Sequence, residues 1–313
     1  MTDNTVANVD ESRLVMSVVV TIVDGGDVLR RFLDALVGQV DAPSMEILVP
    51  YDSSIPETAD LIRHYPQLHL IDMGKVETIR PITTAAGQHE LYDRRRAAGL
   101  GVARGKLWAI LEDRAPPRSD WVRNMVRLHE QPYGAIGGAI ECAPGDLLNW
   151  AFYACDFSRY ALPFVSGPRQ WISDVNICYK RAVIESTREI WKERFNEAKV
   201  HWTLLERGET LFLSSDVIVD YKTPYSSLGA VLPERFHWGR LFGHVRAKHV
   251  SALRRLLFVL SGPLIPLRLL VRHGLVQRQK GNFRRFVKAS PLMLTLLTAW
   301  TTGEVWGYIT NRP

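Results

Sequence analysis

The first 115 residues switch repeatedly between short continuous apolar runs and longer stretches in which apolar residues recur at helical spacing. Residues 16–23 (MSVVVTIV) form a β-branched run bounded by Asp24-Gly25-Gly26, which predicts a buried strand ending in a turn. Val28, Leu29, Phe32, Leu33, Leu36 and Val37 follow at the spacing of one helix face. Residues 45–49 (MEILV) predict a second strand, closing at Pro50-Tyr51-Asp52-Ser53-Ser54, and residues 68–71 a third. A helix over 94–103 feeds a fourth run, Leu107-Trp108-Ala109-Ile110-Leu111, which stops abruptly in Glu112-Asp113-Arg114. Strand and helix alternating through short connections predict right-handed βαβ units, hence an α/β domain on a mostly parallel sheet.

In such a sheet the carboxyl ends of the strands share one edge, and ligands collect there. Asp24, Asp52 and the Glu112-Asp113 pair all fall just after strand ends. A single Asp in a turn usually caps a helix or closes the turn. Several at one edge point instead to a nucleotide phosphate, a bound cation or a hydroxyl to be deprotonated. Neither GxGxxG nor GxxxxGK[ST] occurs, which disfavours dinucleotide and P-loop chemistry. His129, His201 and His237 lack metal-ligand spacing and fit packing or surface roles. The three cysteines (Cys142, Cys155, Cys178) lack CxxC spacing, so neither a zinc site nor a disulfide framework is expected, and a reducing compartment is the simpler setting.

Charge changes the picture for the rest of the chain. With 313 residues, 46% of them hydrophobic, the protein can bury a large core. Its net charge of +6 conceals an asymmetry: from Arg235 to Gly303 there are 13 Lys or Arg and no Asp or Glu. With Glu304 and Arg312 included, residues 235–313 carry +13, which leaves −7 on the preceding 234 residues. A mildly acidic body joined to a basic, apolar-rich segment points to a polyanionic partner, a nucleic acid or an anionic membrane surface. Residues 253–275 carry an apolar run cut by Pro263, Pro266 and Arg268, and residues 291–303 form an uncharged stretch of 13. Neither reaches the roughly 18–20 uninterrupted apolar residues of a spanning helix. Broken apolar helices with basic flanks describe segments lying in the interface of an anionic cytoplasmic leaflet. Two poor spanning helices, or a helical subdomain packed on the body or in a homo-oligomer, are the alternatives. Nucleic acid is the lesser candidate, since the arginines alternate with leucine-rich runs rather than polar, stacking residues. Residues 1–13 are polar and acidic, which reads as a loose tail and neither a signal peptide nor an anchor.

The order of these segments resembles that of the family-2 glycosyltransferases with a GT-A fold. Residues 17–24 (SVVVTIVD) look like that family's first strand and nucleotide loop, and residues 47–54 (ILVPYDSS) follow in the expected place. Arg96-Ala97-Ala98-Gly99 through Ala103-Arg104-Gly105 is similar to the family's RNxG…ARG helix, with Ala97 replacing its usual Asn. Glu112-Asp113-Arg114, then Pro116-Pro117 and Trp121, occupies the DxD segment. Residues 136–141 (IGGAIE) look like the strand that follows. Residues 174–181 (DVNICYKR) are similar to the acceptor-side NxxYxR strand, and residues 195–205, closing at Gly208, to the helix that carries the catalytic carboxylate. The resemblance covers roughly residues 15–245.

Together with the composition and charge of the ends, it divides the chain into a tail over 1–13, a GT-A-like domain over 14–234 and a basic amphipathic helical segment over 235–313. It implies an inverting transfer of a sugar from a UDP- or GDP-sugar to a lipid-linked or other membrane-proximal glycan, by a peripheral or monotopic enzyme on the cytoplasmic side of the cell membrane. Glu197 stands at the position of the base. A direct displacement needs such a carboxylate to take the acceptor proton, and positive charge on the departing nucleoside diphosphate. Donor-binding residues by the same match are Thr21, Val23, Asp24, Asp52, Arg96, Glu112, Asp113 and Arg114; acceptor-side residues are Asp174, Asn176 and Trp202. Asp113 or Glu112 is the candidate ligand of a divalent cation, Mn2+ or Mg2+. Yet Arg114 stands where the family has its second metal-binding Asp, which predicts weakened or absent metal dependence, the guanidinium serving the phosphates directly. Arg94 to Arg96 also fit a solvated face, and Glu197 a helix-terminal charge favoured by the dipole. Trp150, Phe152, Tyr153, Phe157 and Tyr160 fit a core stripe or an acceptor groove, and residues 235–240 (RFHWGR) a cover over the donor or the start of the basic segment. The QxxRW motif of processive members is absent, which favours single-sugar transfer. The other-class alternative is a GT-A scaffold without metal chemistry that acts as a membrane-recruited binding partner; a different nucleotide-dependent α/β transferase is a third.

Overall fold

The computed structural model describes residues 14–247, 250–310 and 312; the tail expected over 1–13 lies outside them. The elements run β1 (Met16–Thr21), α1 (Gly26–Val37), β2 (Met45–Tyr51), β3 (Leu68–Asp72), α2 (Ala85–Val102), β4 (Leu107–Glu112), α3 (Trp121–Leu128), β5 (Ala135–Cys142) and α4 (Leu147–Phe157). They continue through β6 (Gly167–Pro168), β7 (Asn176–Lys180), α5 (Arg181–Glu185), α6 (Arg188–Trp191), α7 (Glu197–Glu206) and β8 (Leu211–Tyr221). The chain closes with α8 (Leu228–Ala247), α9 (Ala252–Ser261), α10 (Ile265–Gln279) and α11 (Phe283–Thr310).

The strands form one sheet in the order β3-β2-β1-β4-β7-β5-β8-β6. β1 pairs in parallel with β2 and β4, and β2 with β3. β7 enters antiparallel between β4 and β5, so β1 to β5 all point one way. This is the expected α/β arrangement on a mostly parallel sheet. All six residues of β1 are buried, as a β-branched strand covered on both faces must be. Leu29, Phe32, Leu33 and Leu36 of α1 are buried, each stabilising the core by about 1.5–3 kcal/mol. α2 lies so close to β1 that a Cβ on Gly99 would stand 2.4 Å from Val19 Cγ1 and 3.1 Å from Pro50 Cγ. Only glycine admits that approach.

The described chain forms two compact units. One holds the chain through Val76, Tyr92–Ala139 and Val165–Val219; the other holds Glu77–Leu91, Ile140–Phe164 and the chain from Asp220 onward. Residues 235–313 thus share the second unit with α4.

That second unit is mainly helical. α8 and α11 cross backbone to backbone: a Cβ on Gly239, Gly243, Gly303 or Gly307 would come within 2.0–2.3 Å of a carbonyl oxygen of the opposing helix. The glycines are four residues apart on both helices, the small-xxx-small spacing of closely packed helix pairs. Arg235 is buried, donates both bonds to the Asp156 carboxylate at 2.7 and 2.8 Å, and lies 4.7 Å from the Trp300 ring and 5.2 Å from the Phe152 ring. Trp150, Phe152, Tyr153 and Tyr160 are core residues.

The prolines expected to cut residues 253–275 interrupt the α-helix with a 3-10 turn but leave the stretch helical. Pro263 opens the 3-10 turn Gly262–Leu264, and Pro266 sits in the first turn of α10, where its missing N–H has no intrahelical partner to lose. The result is a helical stretch, Ala252–Gln279, 28 residues long and apolar enough by length and composition to cross a membrane. It is thinly covered: Leu253, Leu256, Leu260, Leu264, Leu267, Val271 and Leu275 are each more than half exposed.

Candidate functional site

The site lies within the first unit, at the carboxyl end of β1 and β4. Thr21 pairs with Glu112 at the last rung of the β1–β4 ladder, so the loop after β1 faces the charged triplet. Gly25 and Gly26 take positive φ values of 71° and 50°, which turns the loop sharply enough to aim its amides inward. Asp113, fully buried, accepts all three: the N–H of Val23 at 3.0 Å on one oxygen, and those of Asp24 and Gly25 at 3.1 and 2.8 Å on the other. Burial pushes its carboxyl up to about 6 against the pull of the Gly25 and Val23 amides. Arg114 closes the loop from outside with a two-bond pair to Asp24, at 2.8 and 2.6 Å.

Glu112 belongs to a second cluster, centred on Arg96. That guanidinium reaches Glu112 at 2.6 Å, Asp174 at 3.0 Å and Asp93 at 3.3 Å, and donates to the Thr21 hydroxyl at 3.2 Å. Asp93 is shared with Arg194 at 3.1 Å. Glu197, the first residue of α7 behind its Asn196 cap, accepts the backbone N–H of Asp174 at 2.8 Å. Three carboxylates thus pair with one buried cation, and the charge of Glu197 adds to theirs. Burial and the neighbouring Asp174 push Glu197 well above the ordinary carboxylate range, against the pull of the Asp174 N–H and Arg96. Burial, opposed by Arg96, pushes Glu112 up to about 7. Glu112 and Glu197 thus hold protons that isolated carboxylates release, and Glu197 is therefore a strong proton acceptor when ionised. Its raised affinity runs against the helix dipole, which alone favours the anion.

Asp52 sits behind the loop. It accepts from Arg95 Nε at 2.8 Å and pairs with the other guanidinium nitrogen at 2.6 Å, while Arg95 also donates to Ile22 O at 2.6 Å and the Ser54 hydroxyl at 3.3 Å. Arg95 and Arg96 are 2% and 3% exposed, so the arginine run is no solvated face there. Asn176 is fully buried and engages none of these groups: it accepts from Trp121 Nε1 at 2.8 Å and donates to Ala139 O and Val217 O, tying α3, β5 and β8. Trp202, half exposed on α7, meets Trp171 edge to face at 5.9 Å. His201 is buried against the Tyr179 hydroxyl at 2.8 Å.

Sequence reasoning passed over Arg95, Asp93 and Arg194. The available signal was the i, i+3 pair of Asp93 and Arg96 on the same α2 face as Ala97 and Leu100, which marks charge turned toward a core. Among the described residues no group of three His, Cys, Asp or Glu is placed to hold a metal ion. The donor set explains why: both Asp113 oxygens serve loop amides, Glu112 is drawn to Arg96, and Arg114 stands beside them. The residues present do not form a two-carboxylate cation site.

No family model and no curated protein matches this chain. Among solved structures, the mannosyltransferase PcManGT from Pyrobaculum calidifontis, in complex with GDP-Man and Mn2+, is similar at 14% identity with a TM-score of 0.53, over 94% of this chain and 87% of that one. TarS from S. aureus, in complex with UDP, aligns at 12% identity with a TM-score of 0.46, over 88% of this chain and 90% of that one. The likeness to the mannosyltransferase is one of architecture: this chain has a glycosyltransferase fold.

Proposed function

We propose that this protein is an inverting glycosyltransferase that moves a sugar from a UDP- or GDP-sugar to a glycan or lipid-linked acceptor at the cytoplasmic face of a membrane. The observation that carries the reading is the adjacency, through Glu112 and Asp113, of a turned amide loop capped by a guanidinium and a cluster ending in a proton-seeking carboxylate. In the reaction the acceptor hydroxyl gives its proton to Glu197 as its oxygen forms the bond to the anomeric carbon. The bond from that carbon to the donor phosphate oxygen breaks at the same time, and the nucleoside diphosphate leaves with the electron pair. One displacement inverts the centre. Arg114 supplies the positive charge on the departing diphosphate, directly and from a fixed position. Val23 and Asp24 line the donor from the loop, while Asp113, Asp52, Thr21, Glu112 and Arg96 hold loop and cluster in shape from behind. Asp174 and Trp202 face the acceptor side, the indole offering a flat apolar surface for a sugar ring; Asn176 ties α3, β5 and β8 in the core. The exposed leucines and basic flanks of Ala252–Gln279 support a peripheral or monotopic seat on an anionic leaflet.

The test is release of UDP or GDP from a panel of nucleotide sugars, with membranes present, in EDTA and in Mn2+. Turnover that persists in EDTA is the expected outcome. Strict Mn2+ dependence overturns the role of Arg114, and no turnover or binding of any nucleotide sugar overturns the enzyme. Donor binding without turnover, unaltered by Glu197→Gln, favours the scaffold reading.

A further inference from the structure

The second unit contains a cavity of about 950 Å3 walled by α4, α8, α9, α10 and α11. Sites for small molecules run to roughly 300–1,000 Å3, so this one is large enough for an elongated ligand. Its wall mixes apolar and basic groups. Leu269, Val276 and Leu297 are apolar, while the Phe258 and Phe242 rings carry the Arg246 guanidinium at 4.2 and 5.8 Å. Five arginines and His273 line it, with Asp156 and Glu304 as the acids among them. Both acids are already engaged: Asp156 by Arg235 at 2.7 Å, Glu304 by the Tyr308 hydroxyl at 2.8 Å and by Arg246 at 3.5 Å. Arg268 and Arg272, one turn apart on α10, have no carboxylate partner among the described residues.

Both side chains are exposed on the same helix, so their mutual repulsion is screened by water and salt. A phosphate suits them, because the guanidinium fork matches phosphate oxygens two bonds at a time. The apolar residues of the wall rule for a chain attached to that phosphate, and the exposed leucines of the same helices supply the setting in which chain-bearing phosphates are met. We propose that this cavity binds an anionic membrane phospholipid, its phosphate on Arg268 and Arg272 and an acyl chain along Leu269, Val276 and Leu297. The inference rests on the membrane reading above and deepens it: a discrete headgroup site is added to a general attraction for anionic surface.

The experiment uses the full chain and two kinds of probe. Soluble dihexanoyl phosphatidic acid and inorganic phosphate are compared by thermal shift and by tryptophan fluorescence, which Trp300 on the cavity wall reports. Phosphatidylcholine vesicles, with and without phosphatidic acid, are compared by co-sedimentation. The lipid should stabilise the protein where inorganic phosphate at equal concentration does not. Arg268→Gln with Arg272→Gln should weaken lipid binding at least about tenfold, the loss expected of charge-assisted bonds. Leu269→Trp, which fills the apolar part of the cavity, should abolish it, and both variants should still sediment with vesicles through their exposed leucines. Equal stabilisation by inorganic phosphate reduces the site to a surface anion patch and overturns the proposal, as does unchanged lipid affinity in both variants. Failure of the wild type to sediment with any vesicle sinks the membrane reading instead, and the soluble lipid then decides the cavity alone.

Discussion

Asp113→Asn separates a carboxylate that clasps a loop from one that waits for a cation. Asp113 takes one amide on its first oxygen and two on its second. The amide of Asn keeps a single acceptor, so its best rotamer preserves the two bonds from Asp24 and Gly25. It then turns an NH2 toward the Val23 N–H. One bond to a charged acceptor, worth about 1.5–3 kcal/mol, is lost, and a buried donor is left facing a donor for another 1–3. The remaining two bonds lose their charge assistance, although relief of a buried charge gives part of this back. The net expectation is a loss of about 3–5 kcal/mol, or roughly 6–20 °C in Tm at the 2–4 °C per kcal/mol of larger domains. The measurement is thermal unfolding of wild type and variant in EDTA, so that no metal contributes. A Tm within about 1 °C of wild type means the clasp does not hold the loop, and the argument for a loop-holding Asp113 fails.

Glu197→Gln should lower turnover by about 10²–10⁴-fold, the usual contribution of a positioned base, while donor binding and Tm are kept; near-normal turnover moves the base elsewhere. Arg95→Met strands the Asp52 carboxylate in the core and should cost about 3–5 kcal/mol in urea unfolding, much of it restored by adding Asp52→Asn; a double variant no better than the single one refutes a direct pair. Glu112, pushed up to about 7, binds a proton in the folded state that the unfolded chain releases near 4.5, so its contribution is full below 4.5 and is lost as pH rises through 7, by at most about 1.4 kcal/mol per unit. His129 and His201, pushed down to about 4 by burial, act in the opposite sense over much of that range, so the readout is the stability of wild type minus Glu112→Gln. That difference should fall from pH 4.5 to 7, and a flat or rising difference refutes the cluster's electrostatics. Gly303→Val should disrupt the α8–α11 crossing, because its Cβ would meet Phe236 O at 2.0 Å, whereas Gly101→Ala, with nothing within 4 Å, should raise stability by about 0.5–1 kcal/mol; equal Tm values for the two discount the close crossing.

The parallel half of the sheet was legible because its strands are short apolar-rich runs, β-branched in β1, and each run ends in a polar turn. Residues 107–112 carried the strand and its charged end in a single pattern, and the structure keeps both. The arginine run was not legible: a charge buried against another charge has the same letters as a charge in water, and only the partners at 52, 93, 112 and 174 distinguish them. The prolines at 263 and 266 misled in a different way. Proline breaks a helix where its N–H is needed, and a first turn needs none, so two prolines at a junction of helical segments leave the stretch helical, with a 3-10 turn between α9 and α10. The division into two units was hidden because periodicity reports a residue's neighbours along the chain and says nothing of the partners that α4 finds far downstream.

That last pairing has a consequence for the nascent protein. α4 ends at Phe157, and the α11 helix that packs against it begins at Phe283. At synthesis rates of about 5–20 residues per second, the intervening chain takes roughly 6–25 s to emerge. Throughout that interval Trp150, Phe152 and Tyr153 have left the ribosome while the helix that packs against α4 has not yet been made. The late arrival of α11 makes this chain a client for whatever shelters apolar segments during translation, and it makes an early stop codon in the basic segment a folding defect of the whole protein rather than the loss of a detachable anchor.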